Sequence, residues 1–219
     1  MKFGLPKWDL FYNYSLTKEY RSREKCIFMM FTWRKLRKGM KISPDYFNNI
    51  YEILNNSKLK KILHKKKVTL YISLHHNLLI KQNLFINQTN AKYVNQEDIL
   101  TCLMKCNLIV SDFSSVIFDL MYRNKPFIIF IPDSEDENIT QLYDDDYINI
   151  INSLKNDSIK FENKFFNSKS AIKKIIYYIE NNFQLDLKLK ILYKKFNLKY
   201  TNSINSFIIK IKNILNQFN

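Results

Sequence analysis

The sequence predicts a doubly wound α/β domain, a parallel sheet covered by helices on both faces, with a helical C-terminal extension. Three observations carry that expectation. Short, continuously apolar runs recur along the first 131 residues, as strands buried on both faces require. Between them lie longer stretches with helical spacing and capping residues. The two kinds of segment alternate, which is the order of a parallel sheet with crossover helices.

"CIFMMF" (26–31) reads as the first buried strand. "SPDYFNNIYEILNN" then predicts a helix: Ser43 caps it, Pro44 takes the first helical position, and Phe47, Ile50, Tyr51 and Leu54 form the apolar stripe. The lysine run "HKKK" (64–67) reads as a solvated turn, and "VTLYIS" (68–73) as the second strand. "HNLLIKQNLF" predicts a short helix, "AKYV" (91–94) a third strand, and "NQEDILTCLMKC" a helix with acids in its first turn. "NLIVSD" is the fourth strand, "SSVIFDLMYRN" its helix, and "PFIIFI" (126–131) the fifth strand. The acidic loop "DSEDEN" follows and reads as solvated surface, then a helix near 169–182 and a Lys/Ile/Leu-rich helical tail to 217. The expected organisation is one domain over 1–183 and an extension over 184–219.

Composition narrows the partners. Of 219 residues 46% are hydrophobic, so a real core is expected. The formal net charge of +15 favours polyanions, anionic headgroups or phosphorylated substrates. The lysines are dispersed and no RNA-binding signature occurs, so nucleic acid is not the expected partner. Three cysteines, Cys26, Cys102 and Cys106, form no metal-type or disulfide pattern and read as small buried hydrophobes. The first fifteen residues show no signal-like apolar core, and no apolar run is long enough to span a bilayer. The expected location is the cytoplasm, with contact to a membrane only at its surface. The tail from "KLKILYKK" onward alternates lysine with apolar residues, as an interfacial helix does.

In such sheets ligands bind beyond the carboxyl ends of the strands. "SDFSSVIFD" (111–119) lies at one such end, where the fourth strand turns into a helix. A helix N-terminus offers unpaired amides and partial positive charge, which suits phosphate. Ser114 and Ser115 would add hydroxyl donors there. Ser115 and Asp119 are four apart and share a helix face, so the carboxylate can orient the hydroxyl. Simple capping by Ser114 or Asp112 accounts for the same residues without any ligand, and Asp112 competes with phosphate for the amides.

"LIVSDFSSVIFDLMYRNKPFIIFIPD" resembles the signature block of the CDP-glycerol glycerophosphotransferase family, whose members build teichoic-acid-type and related capsule polymers of polyol phosphate. "GLPKWDLF" (4–11), "FTWRK" (31–35), "LHH" (74–76) and the segment from "YVNQEDIL" to the Ser-Ser turn match the family's other motifs in order. The resemblance spans roughly residues 3 to 180. It implies a GT-B fold of which this chain supplies the C-terminal, donor-binding half, with the acceptor-side domain a separate part. It implies no cofactor. It implies that Ser114 and Ser115 hold a donor phosphate, that Arg34 forks phosphate oxygens, and that His75 donates to a phosphoryl oxygen in the transition state. Gly4 and Asp9 belong to the interdomain loop, and Asp112 and Asp119 support the corner. Glu135 or Asp133, after the fifth strand, binds ribose or glycerol hydroxyls. The implied partners are a CDP-linked polyol donor and a polyol-phosphate or glycan acceptor. A GT-B glycosyltransferase using another nucleotide sugar, and a non-catalytic nucleotide-binding member, remain alternatives.

Overall fold

The computed structural model describes residues 13, 24–32, 34–74, 91–112, 114, 116–156 and 163–196. Its centre is a sheet of six parallel strands: β1 (Lys25–Met30), β2 (Val68–Ser73), β3 (Lys92–Tyr93), β4 (Leu108–Ser111), β5 (Phe127–Phe130) and β6 (Lys164–Phe165), in the order β3-β2-β1-β4-β5-β6. β1 pairs with β2 on one side, Ile27 beside Leu70, and with β4 on the other, Ile27 beside Leu108. The central strands are apolar throughout because both faces are covered. Leu108 to Val110 and Phe127 to Phe130 are at most 2% exposed, and each large side chain so buried contributes about 1.5–3 kcal/mol.

The chain winds outward from β1 to β3, returns to β4 and winds outward again to β6. Right-handed crossovers running in opposite directions must lie on opposite faces. Two helices fill the β1–β2 crossover, α1 (Pro44–Asn55) and α2 (Ser57–Lys65). Ser43 caps α1, accepting from the Asp45 amide at 3.1 Å, with Pro44 at the first helical position as expected. The buried face is Tyr46, Ile50, Ile53 and Leu54, not the stripe through Phe47 and Tyr51, and Tyr51 is 40% exposed. The rotation follows from Tyr46, whose ring lies edge-on to Phe31 and receives a buried arginine described below. The lysine run does not form a turn until its end. α2 continues through Lys65 because Leu59 is buried and Ile62 and Leu63 pack against the core. The predicted helix after β2 lies outside the described residues.

A 3₁₀ turn (Gln96–Asp98) leads into α3 (Ile99–Lys105), and β4 into α4 (Val116–Tyr122). After β5 come α5 (Ile139–Leu142) and α6 (Asp145–Lys155). α7 (Ser168–Glu180) follows β6 and packs beside α1 and α2. α8 (Leu187–Phe196) closes the described chain. It does not stand off as an appendage. Leu189 and Tyr193 are buried, the Tyr193 ring stacks on Phe127 at 6.3 Å, and its hydroxyl donates to the Lys125 carbonyl. All three cysteines are buried and unbridged, and burial pushes the Cys102 thiol pKa upward.

With only two glycines in the chain, helices are stopped by other residues in the left-handed region. At the end of α4, Asn124 has φ 52°, its amide bonds to the Met121 carbonyl at 3.1 Å, and the Lys125 amide to the Leu120 carbonyl at 2.9 Å. This is a Schellman motif with asparagine in glycine's place. α7 ends the same way at Asn182, φ 51°. We expect Asn124→Ala to lower stability by about 1 kcal/mol, the penalty a Cβ without a local polar group meets there. Asn124→Gly should be neutral. Chemical unfolding of the three proteins measures the difference.

Candidate functional site

Parallel strands put every carboxyl end on one edge of the sheet, and the reversal of winding between β1 and β4 opens a crevice there. Three segments meet at it: the loop after β1, the β4–α4 corner, and the loop after β5.

Their junction is a buried ionic cluster. Arg34, Asp112 and Asp133 are each fully buried. The Arg34 guanidinium donates from Nε and Nη2 to the two oxygens of Asp133, at 2.9 and 3.0 Å. Nη1 donates to Asp112 Oδ2 at 2.6 Å and to the Thr32 carbonyl at 3.1 Å. Asp112 Oδ2 also accepts from the Thr32 amide and hydroxyl, both at 2.9 Å. The Tyr147 hydroxyl donates to Asp133 Oδ1 at 2.7 Å. The rings of Tyr46 and Tyr147 lie 4.8 and 4.9 Å from the guanidinium carbon, close enough for cation–π attraction.

The electrostatics follow from this arrangement. Burial lowers the Arg34 pKa, but the charges of Asp133 and Asp112 outweigh it, so the group is held well above its ordinary value. Burial raises the Asp133 pKa, and the Arg34 charge and hydrogen bonds overturn that, leaving it below the usual carboxylate range. Burial and the nearby carboxylates push Tyr147 far upward, so it stays a neutral donor.

The phosphate fork expected of Arg34 is not what this arrangement forms. A bidentate guanidinium suits phosphate and carboxylate alike, and here carboxylates take it. Asp112 likewise caps nothing through Oδ2: it holds the β1 loop. Its other oxygen, Oδ1, is buried without a hydrogen-bond partner. Nor is the acidic loop mere surface. Residues 131 to 134 are buried, while Glu135 beside them is exposed at the carboxyl edge. The Ser134 hydroxyl donates to the Ile131 carbonyl at 2.9 Å, and Asn49 donates to the Pro132 carbonyl at 2.8 Å. Further out, the β1 loop is strapped to the segment after α5. The Arg37 amide bonds to the Leu142 carbonyl at 3.0 Å, Lys35 pairs with Asp144 at 2.8 Å, and Arg37 with Asp145 at 2.6 Å.

Ser114 stands at the corner as expected. Its hydroxyl accepts from the Val116 amide at 3.4 Å and its carbonyl from the Ile117 amide at 3.3 Å, a loose cap on α4. Asp119 is 1% exposed on α4. Gly4, Asp9, His75 and Ser115 lie outside the described residues. Asp133, Tyr46 and Tyr147 were the residues sequence reasoning missed as a unit. The one signal was the pair Tyr143 and Tyr147, four apart behind an acidic loop and edge-on at 4.8 Å.

The strand order and the crevice at the winding reversal make this a Rossmann-type α/β domain. A family model described as CDP-Glycerol:Poly(glycerophosphate) glycerophosphotransferase matches residues 1–209. The chain belongs to that family. It is 24% identical over 204 residues to the minor teichoic acid biosynthesis protein GgaB of Bacillus subtilis (strain 168), covering 85% of this chain and 20% of that protein. Its fold is similar to that of the wall teichoic acid polymerase TagF, with 18% identity and a TM-score of 0.62, covering 100% of this chain and 53% of that one. A histidine-to-asparagine variant of TagF soaked with CDPG aligns at a TM-score of 0.59. The chain thus spans a fifth of the curated relative and about half of the solved structures.

Removing one partner of a buried ion pair strands the other, at a cost of about 3–5 kcal/mol. We expect Asp133→Asn to lose stability of that order in urea unfolding at neutral pH. The folded pKa of Asp133 is depressed, so its contribution is complete above about pH 4, the unfolded value. It is lost as acid carries the pH down through the folded value. The acid limb of the stability curve below pH 4 should therefore be shallower in the variant than in the wild type.

Proposed function

We propose that this chain is the donor-binding part of a polyol-phosphate transferase acting in cell-surface polymer synthesis in the cytoplasm. A CDP-linked polyol lies in the crevice between β1 and β4. An acceptor hydroxyl, on a polyol-phosphate or glycan chain, attacks the β-phosphorus. A new P–O bond forms, the bond to the α-phosphate oxygen breaks, and CMP leaves. The acceptor's proton passes to a base.

The observation that carries this reading is the family match over 1–209, joined to a crevice whose walls come from the family's motifs. Each residue then has a role. Ser114 and Ser115 donate hydroxyl hydrogens to the donor phosphate. His75 donates to a phosphoryl oxygen as charge develops there. Glu135, exposed at the same edge, accepts from ribose or glycerol hydroxyls. Gly4 and Asp9 lie on the path to an acceptor-side domain, and Asp9 is a carboxylate able to take the proton. Arg34 and Asp112 act beneath the crevice, fixing the loops that line it. Asp119 supports α4 from below.

Titration against CDP-glycerol, CDP-ribitol, UDP-sugars and CMP tests the donor. The CDP-linked compounds should bind at least about tenfold tighter than UDP-sugars, a difference of about 1.4 kcal/mol. Ser114→Ala with Ser115→Ala should weaken CDP-glycerol by about 1–3 kcal/mol, the cost of hydrogen bonds lost to a charged group. Equal binding by the double variant would leave capping as the serines' whole role.

Transfer also needs a base and a wall that excludes water. The chain alone should release CMP from CDP-glycerol and a glycerol-phosphate-primed acceptor far more slowly than about 1 per second. Adding an acceptor-side domain of a relative should raise the rate. Turnover near 1 per second by the chain alone would show that this part is sufficient.

A further inference from the structure

We propose that the edge of the sheet opposite the crevice docks on an anionic lipid bilayer, through the outward face of α8. Two observations meet there.

The first is charge. Each of the six strands starts at or just after a lysine: Lys25 opens β1, Lys67 precedes β2, Lys92 opens β3, Lys105 precedes β4, Lys125 precedes β5 and Lys164 opens β6. Lys25, Lys65, Lys66, Lys67, Lys92 and Lys105 are exposed. Part of this has a local cause. The crossover helices run antiparallel to the strands and end at this edge, and lysine near a helix C-terminus offsets its partial negative charge. That accounts for Lys65 in the last turn of α2 and Lys105 in the last turn of α3. It does not account for Lys25, Lys92 or Lys164, which open strands. Glu24 and Glu180 are the acids nearest by sequence, and the Glu24 carboxylate accepts from Thr69.

The second is apolar exposure on the same edge. α8 lies against the start of β5, as the Tyr193–Phe127 stack and the bond to the Lys125 carbonyl show. Its inward residues are Leu189 and Tyr193. Its outward face carries Leu187, 72% exposed, and Ile191, 48% exposed, one helical turn apart. Lys188, Lys190 and Lys194 flank them, all exposed. Leu187, Ile191, Lys190 and Lys194 line a groove of about 370 Å³ with Asn124, Leu185 and Tyr193. Helix capping explains neither outward apolar residue. Apolar side chains ringed by lysines on a rigid helix match the bilayer interface, where the chains enter the acyl boundary and the ammonium groups meet headgroup phosphate. The helix is held firmly enough to act this way: Asp186 accepts from the Leu189 amide at 2.9 Å, from Lys174 at 2.6 Å and from the Tyr178 hydroxyl at 2.9 Å. Docked so, the protein turns its crevice away from the bilayer.

Sedimentation of the full chain with phosphatidylcholine vesicles, with and without phosphatidylglycerol, tests this. Binding should require phosphatidylglycerol and fade as salt screens it. Lys190→Gln with Lys194→Gln should weaken it roughly tenfold to thirtyfold, about fivefold for each lysine. Leu187→Ser with Ile191→Ser should weaken it about tenfold. The control Lys60→Gln with Lys61→Gln removes the same charge from α2 and should change it less than about threefold. All four residues changed on α8 are exposed, so circular dichroism and CDP-glycerol titration should match the wild type, which keeps this test separate from the donor reading. Absence of binding to anionic vesicles at low salt overturns the proposal. So does an equal loss in the control, which would mean diffuse charge. Loss with the lysines but not with the apolar pair also overturns it, in favour of a soluble polyanion.

Discussion

Everything at the carboxyl edge depends on one guanidinium placed where water cannot reach it. Arg34 comes from the loop after β1, Asp112 from the end of β4 and Asp133 from the loop after β5. An isolated charge in that position would be prohibitive. Paired to two carboxylates and a tyrosine hydroxyl, it becomes the reason three loops have one relative position. The backbone ladder cannot do this alone, because strand pairing stops where the crevice begins. Well-packed apolar residues could fill the same volume with equal or greater stability. They would not fix direction: an ionic fork has a required geometry, and a hydrocarbon contact does not.

That geometry matters because the crevice is made of loops. The Asp112 carboxylate holds Thr32 by both amide and hydroxyl, so the chain after β1 and the chain after β4 cannot shift independently. The outer straps through Lys35 and Arg37 are exposed and screened, and such pairs contribute little. The constraint is internal, and the wall it supports is free to present backbone amides and hydroxyls without using them for its own stability.

The fold was legible because burial on both faces leaves a mark in composition. "IFMM", "LIV" and "FIIF" are strands that no half-exposed sheet would tolerate. What escaped did so for reasons of length and distance. β6 is two half-buried residues, too short for any periodicity. α2 hides among lysines because a helix lying on a sheet needs only a narrow apolar seam, and Leu59 with Ile62 and Leu63 supplies it. α1 was read one step round from its true face, since Tyr46 is drawn inward by a cation twelve residues earlier. At the site, the Ser114 corner was visible as a local motif. The role of Arg34 was not. Its partners lie 78 and 99 positions further along the chain, and nothing within the "TWRK" stretch distinguishes a guanidinium that meets phosphate from one that meets aspartate.

Those separations also have a consequence in time. During synthesis Arg34 leaves the ribosome with neither partner made, and the β1–β4 ladder that flanks it is equally distant in sequence. At about 5–20 residues per second, Asp133 follows roughly 5–20 s later, given the separation of 99 residues. Until then the nascent sheet has β1 to β3 but no counter-ion for its central edge, and an unpaired guanidinium resists being drawn into an apolar interior. The cluster therefore acts as a checkpoint on assembly. The first half of the domain stays open, its central strand edge uncommitted, until the second half arrives to neutralise it. Long-range parallel pairing is slow on topological grounds, and here electrostatics sets the same order of events.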